Sequence, residues 1–124
     1  MNRQERRRQK KNNKQNQAVN RDLLEGIKFH TNKDYKKAEI LYKKALASEP
    51  SNYDVIRHLG ILNQDLEKYE EAYNLFIQAV KINPQGFEAI NNLATIHINN
   101  KNYDLALKCL NRSLEINGNY VPTI

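Results

Sequence analysis

Apolar and polar positions along most of this chain follow the period of an α-helix. From Ala38, and again from Ala72, small or apolar residues recur three, four and seven places on. This spacing gathers the apolar side chains on one face of a helix and leaves the other faces polar. Pro50 and Pro84 follow these two stretches, and proline ends a helix because it lacks the amide hydrogen that the next turn needs. The pattern therefore predicts an all-α chain of helices separated by short turns.

The helical pattern repeats with a period of 34 residues. The matching pairs are Tyr35 and Tyr69, Ala38 and Ala72, Tyr42 and Phe76, Ala45 and Ala79, and Pro50 and Pro84. A third, weaker copy follows at the same distance. Before each repeated helix the periodicity predicts another one, at about 18–31, 53–65 and 87–99, and the last helix is expected around 102–116. One pair of helices cannot cover its own apolar face, so neighbouring pairs must stack to form a core.

The repeat length and its marker residues resemble the tetratricopeptide repeat. In the second copy the markers are Ile56, Leu59, Gly60, Ala72, Phe76, Ala79 and Pro84, and in the first they are Gly26, Phe29, Ala38, Tyr42, Ala45 and Pro50. The third copy keeps Ile90, Leu93, Ala106 and Leu110 but has Ala94, Ser113 and Gly118 where glycine, alanine and proline stood. The resemblance implies an α-solenoid of three helix-turn-helix repeats over 18–118, at about 19–52, 53–86 and 87–120.

The end of the chain raises a separate question. Ile124 falls in the column of Ile56 and Ile90, so residues 119–124 look like the truncated start of a further repeat. Three interpretations compete: a naturally short protein, the start of a longer chain, or an end covered by another subunit. In each case the last helix is expected to present part of Leu107, Leu110 and Leu114 to solvent or a partner, and such a patch favours self-association.

The excess positive charge of the chain lies in its first 17 residues. Of a net charge of +6, all comes from this tail, which has no hydrophobic residue after Met1 and one acidic residue, Glu5. Nothing in the tail can offset the entropy of ordering it, so we expect it to be disordered or a frayed helical extension. Contact with nucleic acid is an alternative role for it, and without aromatic residues to stack on bases such contact would lack sequence specificity. The basic residues are Arg3, Arg6, Arg7, Arg8, Lys10, Lys11 and Lys14.

Hydropathy, the cysteine count and the absence of known motifs limit the kinds of function that the sequence predicts. No apolar run is long enough to cross a bilayer, no secretory signal follows the basic start, and the single cysteine, Cys109, cannot form an internal disulfide. We therefore expect a cytoplasmic protein. The three histidines are too far apart in sequence for a helical metal site, and no phosphate-binding glycine loop or nucleophile motif is present. The sequence predicts no catalytic, cofactor-binding or metal-binding residue, and a protein that is not an enzyme.

By analogy with the repeat family, the first helix of each unit lines a concave groove that binds a peptide or a partner helix. Amide side chains there can pair with the backbone of an extended peptide. The inward positions in this chain would be Asp54, Arg57, His58, Ile61, Gln64, Asp65, Glu88, Asn91, Asn92, Thr95 and Asn99.

Two comparisons within the family refine this expectation. Binders of chaperone tails clamp a terminal carboxylate with lysines, an arginine and asparagines, but the corresponding positions here do not reproduce that clamp, so we expect no such binding. Those positions are Leu23, Ile27, His58, Glu88 and Asn92. The beginning of the chain is also similar to bacterial proteins in which such repeats precede a glycosyl- or sulfotransferase domain. The alternative role is therefore substrate recruitment for a larger enzyme.

Overall fold

Six helices joined by short turns make up residues 1–118, the part of the chain that the computed structural model describes. The further repeat expected at 119–124 lies outside the described residues. The helices are α1 (Arg3–Thr31), α2 (Tyr35–Ser48), α3 (Tyr53–Asp65), α4 (Tyr69–Ile82), α5 (Phe87–Asn99) and α6 (Tyr103–Ile116). The described residues contain no strand, which confirms the all-α prediction. The chain divides into two compact units, one ending at Val55 and the other beginning at Ile56.

In the first unit α1 packs against α2. Val19 and Leu23 of α1 and Ala38, Tyr42 and Ala45 of α2 are buried there. The hydroxyl of Tyr42, although its ring is fully buried, lies 3.2 Å from Nδ1 of His30, so its polar end has a partner. This unit is therefore a helical hairpin with a small apolar core.

The basic tail is part of α1. The sequence predicted that the tail is either disordered or a frayed helical extension. The structure has the helical form, and α1 is continuous from Arg3. The side chain of Asn2 accepts from the amide of Glu5, and Glu5 accepts in return from the amide of Asn2, which satisfies two amides at the helix start. Further along, Nε2 of Gln15 donates to the carbonyl of Ser48 over 2.6 Å, which joins α1 to the last residue of α2.

In the second unit the core forms between α4 and α5. The buried residues Ala72, Phe76, Leu93 and Ile96 contact one another. Partly buried side chains surround this cluster: Ile61, Tyr73, Ile77, Val80 and Cys109. The apolar stripe that the sequence predicted for α4 therefore faces the first helix of the next pair.

Small residues allow the two helices of a pair to approach closely. A methyl group placed on Gly26 would lie 2.5 Å from Cε1 of Tyr42, and one on Gly60 would lie 2.7 Å from Cε1 of Phe76. No side chain fits at these distances, so glycine is required beneath each aromatic ring. In the third pair Ala94 and Leu110 occupy the equivalent positions. Alanine, which is larger than glycine, is thus paired with leucine, which is smaller than tyrosine or phenylalanine.

The turn inside each pair has the same backbone geometry in all three. Lys33, Glu67 and Lys101 have φ angles of 63°, 63° and 62°, which is the left-handed region. Each turn closes with a hydrogen bond from the following amide to a carbonyl five residues back, such as Lys68 to Asn63 at 2.8 Å. This is the Schellman arrangement that ends many helices, although glycine usually occupies the left-handed position.

We expect Gly60→Ala to destabilise the protein by about 1–3 kcal/mol through overpacking against Phe76. Adding Phe76→Leu should recover part of this loss, because the pair would then match Ala94 and Leu110 of the third repeat. Urea unfolding of the two single variants and the double variant measures the coupling free energy, expected at roughly 0.5–3 kcal/mol for residues in contact. Strictly additive losses would contradict the proposed contact.

We also expect Glu67→Gly to stabilise the protein by roughly 0.5–1 kcal/mol, because glycine adopts a positive φ without the steric cost of a Cβ. Thermal unfolding followed by circular dichroism measures the change. Glu71→Gly, inside α4, is the matched control and should destabilise by about 1 kcal/mol. A melting temperature that falls in both variants would contradict this account of the turn.

Candidate functional site

The expected groove residues lie on α3 and α5. Asp54 belongs to the first unit. The other ten lie in the second unit: Arg57, His58, Ile61, Gln64, Asp65, Glu88, Asn91, Asn92, Thr95 and Asn99. The candidate site is therefore the face that α3 and α5 form within the second unit.

Arg57 is the residue that links the two helices of this face. Its Nη1 donates to Oδ1 of Asn92 over 3.4 Å, and its Nη2 lies 3.4 Å from Nε2 of His58. All three side chains are half-buried. The structure thus brings together three of the predicted residues, one of them from a helix 35 positions away in sequence.

The hydrogen-bonding capacity of this cluster is not fully used. Nε of Arg57 and Oδ1 of Asn91 are buried and have no hydrogen-bond partner among the described residues. Arg57 also has no carboxylate partner in that part of the chain, whereas Lys37 and Lys43 pair with Asp34 and Glu39. A half-buried guanidinium without a counter-ion favours an anionic or carbonyl ligand, because such groups bind it through charge-assisted hydrogen bonds.

Other predicted groove residues have different surroundings. Ile61 packs against the cluster around Phe76, so part of its surface belongs to the core. The hydroxyl of Thr95 donates to the carbonyl of Asn91 within its own helix, at 3.2 Å. Asn99 is exposed near the end of α5 and lines a shallow depression with Tyr69 and Ile96. Gln64 and Glu88 are half-buried and Asp65 is exposed. The polar cluster at Arg57 is therefore smaller than the predicted groove.

A neighbouring recess was not predicted as a site. It has a volume of about 450 Å³, and it lies where the start of α4, the end of α5 and the start of α6 meet. Tyr69 is 52% exposed there, and the rings of Tyr73 and His97 meet edge to face at 5.9 Å. The recurrence of tyrosine at the first position of each second helix was the only available signal.

The last described helix carries the apolar row that the sequence predicted. Leu107 is 57% exposed, and Leu110 and Leu114 are half-buried. One repeat earlier, Phe76 and Val80 occupy the positions of Leu110 and Leu114 and are packed with residues of α5. Self-association through this row stays a prediction.

Within residues 1–118, no three metal-ligating side chains lie close enough together to hold an ion, and no helix there is long and apolar enough to span a bilayer. Cys109 is half-buried beside the α4–α5 cluster, and burial raises the pKa of its thiol above the ordinary value. A raised pKa leaves less of the reactive thiolate at neutral pH.

We expect Cys109 to react with a thiol reagent such as iodoacetamide more slowly than free cysteine at pH 7–8. The rate should rise only at a pH above the ordinary thiol pKa, because burial raises the pKa of Cys109 and so shifts its deprotonation to higher pH. Mass spectrometry of timed samples measures it, with the urea-unfolded protein as the control that removes burial. Equal rates for the folded and unfolded protein would contradict this expectation.

Known proteins support the fold. A family model described as tetratricopeptide repeat matches residues 63–122. The solved structure of MamA superposes with a TM-score of 0.74 at 16% identity, over 82% of this chain and 59% of that one. PilF of Pseudomonas aeruginosa gives 0.77 at 19%, over 82% of this chain and 46% of that one. The chain thus spans less than two thirds of either protein's length.

A third similar structure contains a ligand. The first tetratricopeptide domain of Spaghetti (RPAP3), bound to the HSP90 peptide SRMEEVD, has a TM-score of 0.76 at 21% identity, over 84% of this chain and 82% of that one. At these identities the likeness establishes the shared fold. No curated protein matches the chain.

Proposed function

Because this chain has the fold of tetratricopeptide-repeat proteins, we propose that it binds an extended peptide or a partner helix on the face of α3 and α5, and that it performs no catalysis itself. The observation that carries the proposal is the Arg57 guanidinium, half-buried between the two helices and without a carboxylate partner among the described residues. The cytoplasmic location expected from the composition belongs to the same proposal.

The chemistry of the face favours a ligand that supplies acceptors. Arg57 offers donors at the centre, and the amides of Asn91 and Asn92 can both donate and accept. A peptide backbone presents carbonyls and amides at regular intervals, so it can use these groups without a particular side chain. A single carboxylate near the middle of the bound segment would pair with Arg57.

A terminal-carboxylate clamp is a different arrangement. The Spaghetti domain in the solved complex holds the acidic peptide SRMEEVD, and this chain has the same fold. Of the positions that would form the clamp here, Leu23 is only 9% exposed and Glu88 is acidic. A leucine and a glutamate cannot bind a carboxylate by charge, so we expect the ligand to differ from a chaperone tail.

We expect the double variant Arg57→Glu and Asn92→Ala to weaken peptide binding roughly 10- to 100-fold, the effect of losing a hydrogen bond to a charged group. Peptides selected from a random display library on the wild-type protein would be titrated by fluorescence anisotropy. Circular dichroism would establish that the variant keeps its helices.

The matched control is Lys81→Glu with Asn74→Ala, which likewise reverses one positive charge and removes one amide, at exposed positions of α4. It should bind the selected peptides as the wild type does. If both double variants retain wild-type affinity, recognition lies elsewhere and the proposed face is wrong.

The role as a substrate-recruiting region of a bacterial glycosyl- or sulfotransferase stays a hypothesis from the sequence. Coding sequence for such a domain beyond Ile124 is the observation that would test it.

A further inference from the structure

The N-terminal half of α1 carries a row of positive charges on one side. Arg3, Arg6, Arg7, Lys10 and Lys14 are spaced three, four, seven and eleven residues from the first, and at about 100° per residue they fall within roughly a third of the helix circumference. These five residues are called the basic face. All five are exposed.

The basic face points away from the core of the first unit. Val19, Leu23 and Gly26 are the buried residues of α1. By the same helical geometry they lie on roughly the opposite side of the helix from the basic face. The hydrogen bond of Gln15 to Ser48 is also on the far flank. A large ligand can therefore approach the basic face without meeting α2.

The charges of the basic face are not neutralised. None of the five makes an ion pair with any described residue, whereas Lys37, Lys43 and Lys44 pair with carboxylates. Four of the five, Arg3, Arg6, Arg7 and Lys10, line one shallow surface recess. Like charges three and four residues apart on a helix repel each other, so a polyanion that binds this face would relieve that repulsion.

We propose that the basic face binds the phosphate backbone of double-stranded DNA, with the N-terminal half of α1 lying along the major groove. The groove is about 12 Å wide and admits an α-helix, whereas the major groove of duplex RNA is too narrow. Phosphate contacts of this kind are independent of sequence. This binding site is separate from the face of α3 and α5.

Other polyanions fit the residues less well. A helix that inserts into a membrane surface buries apolar side chains of one face, and residues 2–17 contain none. Single-stranded nucleic acid requires aromatic side chains for base stacking, and this segment has none of those either. The segment is instead rich in asparagine and glutamine, which can donate to phosphates and to base edges in a groove.

The test uses the whole chain and a fluorescein-labelled DNA duplex of roughly 20 base pairs, about two helical turns. The face variant has Arg3→Gln, Arg6→Gln, Arg7→Gln and Lys10→Gln. Its matched control has Lys28→Gln, Lys36→Gln, Lys81→Gln and Lys108→Gln, four exposed lysines elsewhere. Both variants have the same net charge, and glutamine keeps the helix propensity close to that of lysine or arginine.

We expect the wild-type Kd to weaken roughly 150- to 500-fold between about 50 and 200 mM salt, as four or five phosphate contacts require. At about 50 mM salt the face variant should bind at least roughly tenfold more weakly and with a much smaller salt slope, while the control keeps the wild-type slope. Undetectable wild-type binding at about 50 mM salt would overturn the proposal. So would equal losses in the two variants at matched helix content by circular dichroism.

Three competitors decide whether duplex DNA is the ligand. Duplex RNA, polyglutamate and vesicles containing phosphatidylglycerol should each displace labelled DNA at least roughly tenfold less well than unlabelled DNA does, at equal concentration of negative charge. If any of them competes equally, the groove fit is wrong and the basic face recognises charge alone, or that other class of ligand. Failure of this experiment leaves peptide binding at Arg57 unaffected.

Discussion

The contact between a glycine and an aromatic ring across each of the first two helical pairs is the constraint on which the rest of the structure depends. Tyr42 and Phe76 are completely buried, and each ring lies where the side chain of Gly26 or Gly60 would otherwise be. The contact sets how closely the two helices of a pair approach. It also removes the largest apolar side chains of α2 and α4 from water, which supplies much of the stabilising burial.

This packing determines where the functional groups lie. Leu93 and Ile96 of α5 belong to the cluster with Phe76, whereas Asn91 and Asn92 of the same helix are left partly accessible. Arg57 reaches Asn92 from α3 through a hydrogen bond of 3.4 Å, which joins the two helices on this face. The polar cluster is therefore a by-product of the core geometry, made from positions that the core does not use.

The sequence predicts the helices well because their apolar period is strong and the repeat length is constant. The bounds expected for the third and fifth helices, 53–65 and 87–99, match those observed. For the groove, the sequence predicted a set of positions but not which side chains at those positions contact one another. Whether Arg57 meets Asn92, or Ile61 turns toward the core, depends on how two helices distant in sequence cross. The recess beside Tyr69 is formed by the ends of three helices, so no single stretch of sequence reveals it.

The continuity of α1 has a mechanical consequence. At about 1.5 Å per residue, its 29 residues form a rod of roughly 43 Å that contains both the charged segment and the first half of the hairpin core. A flexible tail would let the hairpin rotate freely around whatever the tail holds, and would contribute only a raised local concentration. A continuous helix instead couples the orientation of its charged end to that of the end in the hairpin core. A partner that binds the charged end of α1 therefore also fixes the orientation of the first helical pair.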